Sequence, residues 1–343
     1  MMRALVVAFL MVICAPLAAR EAAGIDPMAN DKVGTYDWVR PHADFVRREE
    51  MVKMRDGRLL YTVIVHRKGV KDAPILLSRT PYNAAVTTAR MRSQKIEEIL
   101  PVADTEFVRD GYIRVYQDVR GMDRSEGDYV MVRPLRGPLN KTRVDHATDA
   151  YDTIEWLVHN VRESNGKVGI IGSSYLGFTA LMALVDPHPA LKAAVPQSPM
   201  VDGWIGDDWF HNGAFRPLGF DYILAQTVAR GRGPVPAGDV DEYDNYLSAG
   251  STADYAWRWG LSHLPAVRKL LEHPDYDEYW QLHAVDRILA KQSLKVPVML
   301  VVGQWDQEDS YGAPAVYRAL EPQDANNDKV FLAIGPWRHS GVN

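Results

Sequence analysis

Lys167-Val168-Gly169-Ile170-Ile171-Gly172-Ser173-Ser174-Tyr175-Leu176-Gly177 is the stretch from which the rest of the chain can be read. Its apolar first half suits a buried strand, and it breaks at a Gly-x-Ser turn. The following Phe178-Thr179-Ala180-Leu181-Met182-Ala183-Leu184 suits a packed helix. A serine at such a strand-to-helix turn projects its Oγ away from the backbone, while the free N–H groups of the helix start offer donors to an oxyanion. Ser174 is therefore the candidate nucleophile of a nucleophile elbow. The second glycine comes one residue later than in G-x-S-x-G, and a turn that merely packs a strand on a helix would read the same way. The elbow needs partners elsewhere in the chain.

Working outward toward the N-terminus, a helix is expected from about His146 to Arg162, with Ala150, Ile154, Leu157, Val158 and Val161 on one face. Short strands precede it at Gly111 to Gly121 and Ala73 to Tyr82, and an antiparallel pair turns at Asp56-Gly57. Toward the C-terminus, a strand at Leu191 to Ser198 is expected to end at Pro196. From 201 to 290 the chain is rich in Trp, Tyr, His and Asp and shows no clear parallel strand, which reads as an inserted helical cap. Strands return at Val296 to Gly303 and Lys329 to Gly335. The pattern predicts an α/β fold with a mostly parallel sheet and helices on both faces. The core spans 24–200 and 291–343, and ligands bind at the carboxyl ends of its strands.

The two late strands end in Gln304-Trp305-Asp306 and Gly335-Pro336-Trp337-Arg338-His339, so an acid and then a histidine follow Ser174 at successive strand ends. This is the α/β-hydrolase order of serine, acid and histidine. His339 would take the Ser174 proton, and Asp306 would orient the imidazole and stabilise its cation. Each residue alone would read as a solvated loop group; three in order at the right ends would not.

Composition narrows the class. The chain has 343 residues, 47% hydrophobic and 24% charged, with a net charge of -5. That is ample for a large core, and without a basic run it argues against nucleic acid as partner. Residues 1–23 read as a signal peptide: Arg3, an apolar run from Ala4 to Ala15, then Pro16-Leu17-Ala18-Ala19. A periplasmic or secreted protein without a stable membrane anchor is expected, a retained anchor being the alternative. The single cysteine, Cys14, lies in this leader, so the mature chain would hold no thiol nucleophile and no thiolate metal site. His188, His211, His263, His273 and His283 show no ligand-like pairing, so neither metal nor cofactor is expected.

The chain resembles the serine hydrolases related to cocaine esterase, glutaryl acylases and X-Pro dipeptidyl peptidases, and most specifically the α-amino acid ester hydrolases. The resemblance rests on Arg79-Thr80-Pro81-Tyr82, Asp118-Val119-Arg120-Gly121 with Ser125-Glu126-Gly127, Gly172-Ser173-Ser174-Tyr175, Gly206-Asp207-Asp208-Trp209, Trp305-Asp306-Gln307-Glu308-Asp309 and Gly335-Pro336-Trp337-Arg338-His339. The elbow of that group is G-x-S-Y-x-G, which accounts for the late glycine. The resemblance implies two oxyanion donors, the backbone N–H of Tyr175 and the phenol of Tyr82. It also implies that Asp208, Glu308 and Asp309 hold a substrate ammonium group; a calcium site and plain surface charge are the competing readings of these acids. Asp207 is the lesser of its pair, an N-cap or a partner for Arg216, and Arg120 ties loops together.

The activity so implied is cleavage of α-amino acid esters, with the acyl group passing to water or to an amine such as a β-lactam nucleus. The alternatives are a related acylase, esterase or X-Pro dipeptidyl peptidase that needs no free amine, and a catalytically silent fragment. A small-molecule ester or amide is the expected partner, and a homo-oligomer stays open. Members of the group continue beyond the position of Asn343 with a helix and a jelly-roll domain, so one sheet face is expected to lack cover and His339 to be poorly held.

Overall fold

Eight strands form one sheet in the order β1-β2-β4-β3-β5-β6-β9-β10. They are β1 (Phe45–Lys53), β2 (Leu59–Arg67), β3 (Ala73–Thr80), β4 (Ile113–Asp118), β5 (Ser164–Ser174), β6 (Leu191–Pro199), β9 (Val298–Trp305) and β10 (Val330–Arg338). A separate two-residue hairpin supplies β7 (Phe210–His211) and β8 (Ala214–Phe215). Only β1 and β2 run antiparallel to their neighbours, and every pair from β4 through β3, β5, β6 and β9 to β10 is parallel. This computed structural model describes residues 39–343 except 207, 229–234, 236–240, 340 and 342–343, together with 27–28 and 31. The leader at 1–23, with Cys14, and also Asp207 lie outside the described residues. The chain divides after Pro41 into two compact units, and the second carries every element named here.

Local chemistry explains where the elements begin and turn. The β1–β2 turn closes as expected at Asp56-Gly57, where Gly57 takes φ +86°. The helix His146–Asn160 starts from a capping box: the Asp145 carboxylate accepts from the Thr148 N–H, and the Thr148 hydroxyl accepts from the Asp145 N–H. It buries Ala150, Ile154 and Leu157 on one face against the main core, shared with Ile75, Leu77, Val168, Ile170 and the elbow helix (Tyr175–Met182). Short helical turns at Ala84–Thr87, Ile96–Ile99 and Thr105–Arg109 belong to the other face, where Val63, Val65 and Tyr116 form a second core.

One expectation changes here. Pro196 does not end its strand: β6 runs on to Pro199, with Pro196 opposite Gly172 and the ladder to β9 continuing at Gln197↔Val301. A proline costs a strand only one N–H, and the pairs on either side keep β6 in the sheet. On the sheet edge, Met299 is 43% exposed and its register partner Phe331 49%, so this face of β9 and β10 is open to solvent. The gap between β6 and β9 holds β7, β8 and a run of helices that includes Gly219–Thr227, Pro265–Glu272 and Glu278–His283. Their apolar side chains, Trp209, Phe220, Ile223, Leu270 and Trp280 among them, join the main core.

Candidate active site

Ser174 closes β5 and precedes the elbow helix with φ 62° and ψ -124°, a backbone region a non-glycine residue occupies only under strain. Two glycines make that geometry possible. A Cβ on Gly172 would lie 2.2 Å from the Cβ of Leu176, and one on Gly177 would lie 2.6 Å from the Gln197 carbonyl oxygen. The late glycine is thus the contact where the elbow helix crosses β6. Tyr175 is the first residue of that helix, where an N–H has no intrahelical acceptor. Its side chain points inward, fully buried, with its phenol 3.4 Å from His146 Nε2. Only its backbone is placed for an oxyanion role.

Asp306 follows β9 in a tight turn. One of its carboxylate oxygens accepts from the Glu308 and Asp309 N–H groups, each at 2.9 Å. His339 Nδ1 lies 3.0 Å from both oxygens and, facing acceptors only, carries the proton there. Burial pushes the Asp306 carboxyl up, but the His339 bond and the two backbone donors outweigh it and hold it at about 2. Burial likewise pushes His339 down, and the carboxylates of Asp306, Glu308 and Asp208 outweigh it, so the imidazole lies above its ordinary range.

His339 is not poorly held. It is 7% exposed, and β10 is shaped to present it. A bulge between Gly335 and Arg338 shifts the register against β9, and Trp337 folds back over Gly335 and Gly303. A Cβ at either glycine would clash with Trp337. Past the bulge, His339 meets Asp306.

Ser174, His339, Tyr82, Leu176 and Glu308 line one cavity. Tyr82, 42% exposed, follows β3, where its N–H donates to the Thr80 hydroxyl at 2.9 Å. Its phenol lies against Ser174 and 3.1 Å from the phenol of Tyr222, which also lines the cavity. Tyr222, on the helix Gly219–Thr227, was missed by sequence reasoning. Its helical spacing reads as apolar packing, and only the fold brings it 140 positions back in the chain to Tyr82.

The three expected ammonium ligands differ in position. Glu308 lines the cavity, and its carboxylate lies 3.5 Å from His339 Nε2. Asp208 is buried and accepts from Arg216 at 3.4 Å. Asp309 is fully buried, with its carboxylate 3.9 Å from His339 Nδ1. The negative field of Asp208 reaches His339, Tyr82 and Tyr222. Among the described residues, no group of three His, Cys, Asp or Glu is arranged to hold a metal ion. No described helix is long and apolar enough to cross a membrane.

Behind the site, Arg79 and Arg120 fix the frame. Arg79 is wholly buried, donating to Gln117 Oε1 at 2.9 Å and to the His146 carbonyl at 3.0 Å. Arg120 binds Asp149 through two nitrogens, at 2.6 and 3.0 Å, and reaches Asp56 in the first hairpin at 2.7 Å. It ties the hairpin to the helix that feeds the elbow strand.

A parallel sheet with a serine elbow, and an acid and a histidine at the next strand ends, defines an α/β-hydrolase. Residues 56–341 match the model of the X-Pro dipeptidyl-peptidase (S15) family, and the chain belongs to that family. Cocaine esterase from Rhodococcus sp. (strain MB1 Bresler) is 28% identical over 304 residues, covering 85% of this chain and 48% of that protein. The solved structure of an α-amino acid ester hydrolase is 55% identical with a TM-score of 0.88, covering 93% of this chain and 52% of that one. An aminopeptidase from a marine sediment archaeon, Thaumarchaeota archaeon, is 46% identical with a TM-score of 0.86, covering 91% and 51%. The chain therefore spans about half the length of these relatives.

Proposed function

We propose that the chain is a serine hydrolase that cleaves esters of α-amino acids through an acyl-enzyme on Ser174. Its Oγ attacks the ester carbonyl as His339 Nε2 takes the proton, and Asp306 stabilises the imidazolium. The negative oxygen of the tetrahedral intermediate accepts from the Tyr175 N–H and the Tyr82 phenol. His339 returns the proton to the departing alcohol. Water, deprotonated in turn by His339, then releases the acid. An amine in place of water gives an amide, and a β-lactam nucleus is such an amine in this reading.

The observation that carries the substrate class is the Glu308 carboxylate, which lines the same cavity as Ser174 and His339. Asp208 adds negative charge, as its influence on Tyr82 and His339 indicates. An ester bond needs no such field, whereas an ammonium group beside the reacting carbonyl is attracted by it. The solved relatives with the higher identities are named for α-amino acid esters and as an aminopeptidase, and both names imply a substrate with an amino group. D-Phenylglycine methyl ester should be cleaved at least about tenfold more efficiently than its N-acetyl or des-amino analogue. Equal kcat/KM values would remove the ammonium site and leave a general esterase. In the same reading the leader at 1–23 directs the enzyme out of the cytoplasm, and N-terminal sequencing of the exported protein tests that.

A further inference from the structure

The motif Asp118-Val119-Arg120-Gly121 with Ser125-Glu126-Gly127 is only half accounted for by Arg120. Asp118 is the last residue of β4, wholly buried and in register with Thr80, the last residue of β3. It meets the turn that carries Tyr82. One carboxylate oxygen, Oδ1, accepts from the Ala84 N–H at 2.6 Å, and among the described residues the other, Oδ2, is buried with no hydrogen-bond partner. The hydrogen bond of this carboxylate thus goes to the residue two positions beyond the phenol.

The turn needs such a hold. Between Tyr82 and Ala84, Asn83 takes φ +67°, a left-handed conformation that a non-glycine residue keeps only where its neighbours over-determine it. On the β3 side, the Tyr82 N–H donates to the Thr80 hydroxyl and the Val119 N–H to the Thr80 carbonyl, each at 2.9 Å. On the other side, Ala84 is tied to Asp118. The Asn83 side chain donates to the Asp123 carboxylate at 3.1 Å and accepts from the Val86 N–H at 3.0 Å. The second half of the motif anchors Asp118 in turn. The Ser125 hydroxyl donates to the Asp118 carbonyl at 2.7 Å and accepts from the Tyr61 N–H of β2 at 2.9 Å, while the Gly121 N–H donates to the Glu126 carbonyl at 3.1 Å. The Tyr82 ring, by contrast, stands partly exposed in the catalytic cavity, with the Tyr222 phenol at hydrogen-bond distance. Its place against Ser174 therefore depends on how its backbone is held.

We propose that Asp118 is a positioning residue for the oxyanion: by holding the Ala84 N–H it fixes the turn from which the Tyr82 phenol meets the charge that develops beside Ser174. The proposal rests on the reading of Tyr82 as an oxyanion donor. A reacting or stabilising group displaced by about 1 Å can cost about 100-fold in rate. A donor that acts on the transition state alone shows that cost in kcat and leaves KM nearly unchanged.

A double-mutant cycle in kcat and KM with D-phenylglycine methyl ester tests it. Asp118→Ala should lower kcat at least about tenfold with KM within about threefold of the parent. Asp118→Asn, which keeps an oxygen for the Ala84 N–H, should recover most of that loss. In the Tyr82→Phe background Asp118→Ala should cost less than about twofold, because the phenol it positions is already gone. General damage to the fold would cost the same in both backgrounds. Circular dichroism confirms that the variants are folded, with Asp118→Ser replacing Asp118→Ala if the latter is not. A parent-like kcat in Asp118→Ala, or an equal loss in both backgrounds, would overturn the role of Asp118 and leave Tyr82 as a donor. An undiminished kcat in Tyr82→Phe would overturn the donor reading and the positioning role with it.

Discussion

His339 is the residue on which the chemistry turns, and its surroundings make a pH prediction with a definite sign. It acts as a base only when neutral, and Asp306, Glu308 and Asp208 stabilise its charged form. The rising limb of kcat/KM should therefore lie above the ordinary imidazole value of about 6.5. Glu308→Gln removes one of these charges and should move that limb to lower pH; a limb that stays in place would mean Glu308 does not act on His339. For a free-amine substrate a falling limb should also appear where the ammonium is lost, at about pH 8. The N-acetyl analogue should lack it. Tyr82→Phe removes an oxyanion donor and should lower kcat about 100- to 1000-fold with little change in KM. Tyr222→Phe keeps the ring but removes the hydroxyl that meets Tyr82 and should cost less. An undiminished kcat in Tyr82→Phe would remove that phenol from the mechanism.

The elbow shows at the level of elements what the sequence made legible and what it did not. Gly172, Ser174 and Gly177 could be read as a turn because glycine spacing reflects close backbone approach, and the structure identifies Leu176 and the Gln197 carbonyl as the atoms approached. Asp306 and His339 were readable because an apolar run that ends in a polar residue marks a strand end. Tyr222 was not, since its role depends on a tertiary contact, and the full burial of Asp309 was equally invisible in a run of polar letters. Pro196 misled because a local rule was applied to a strand held from both sides. Gly177→Ala should destabilise by about 1 to 3 kcal/mol, since its Cβ meets backbone that cannot easily yield. Urea unfolding measures it, and an unchanged midpoint would mean that β6 and the elbow helix can separate without loss.

Across the whole molecule, Arg120 joins the first hairpin, the Asp149 helix and, through that helix, the elbow strand. It is 5% exposed, so Arg120→Ala would leave the Asp149 carboxylate buried without its main partner. A loss of about 3 to 5 kcal/mol in urea unfolding is expected. A loss under about 1 kcal/mol would show that the hairpin and helix are held by packing alone. The fold itself was legible at this scale, because strands alternating with helices leave few topologies open.

The central claim is that Ser174, activated by His339 and Asp306, is a nucleophile. An active-site phosphonate with mass spectrometry of the digested protein tests it most directly. The account predicts one label per chain on the peptide containing Ser174, absent in Ser174→Ala and strongly slowed in His339→Gln. A folded chain that takes no label, or takes it equally well after Ser174→Ala, would contradict it.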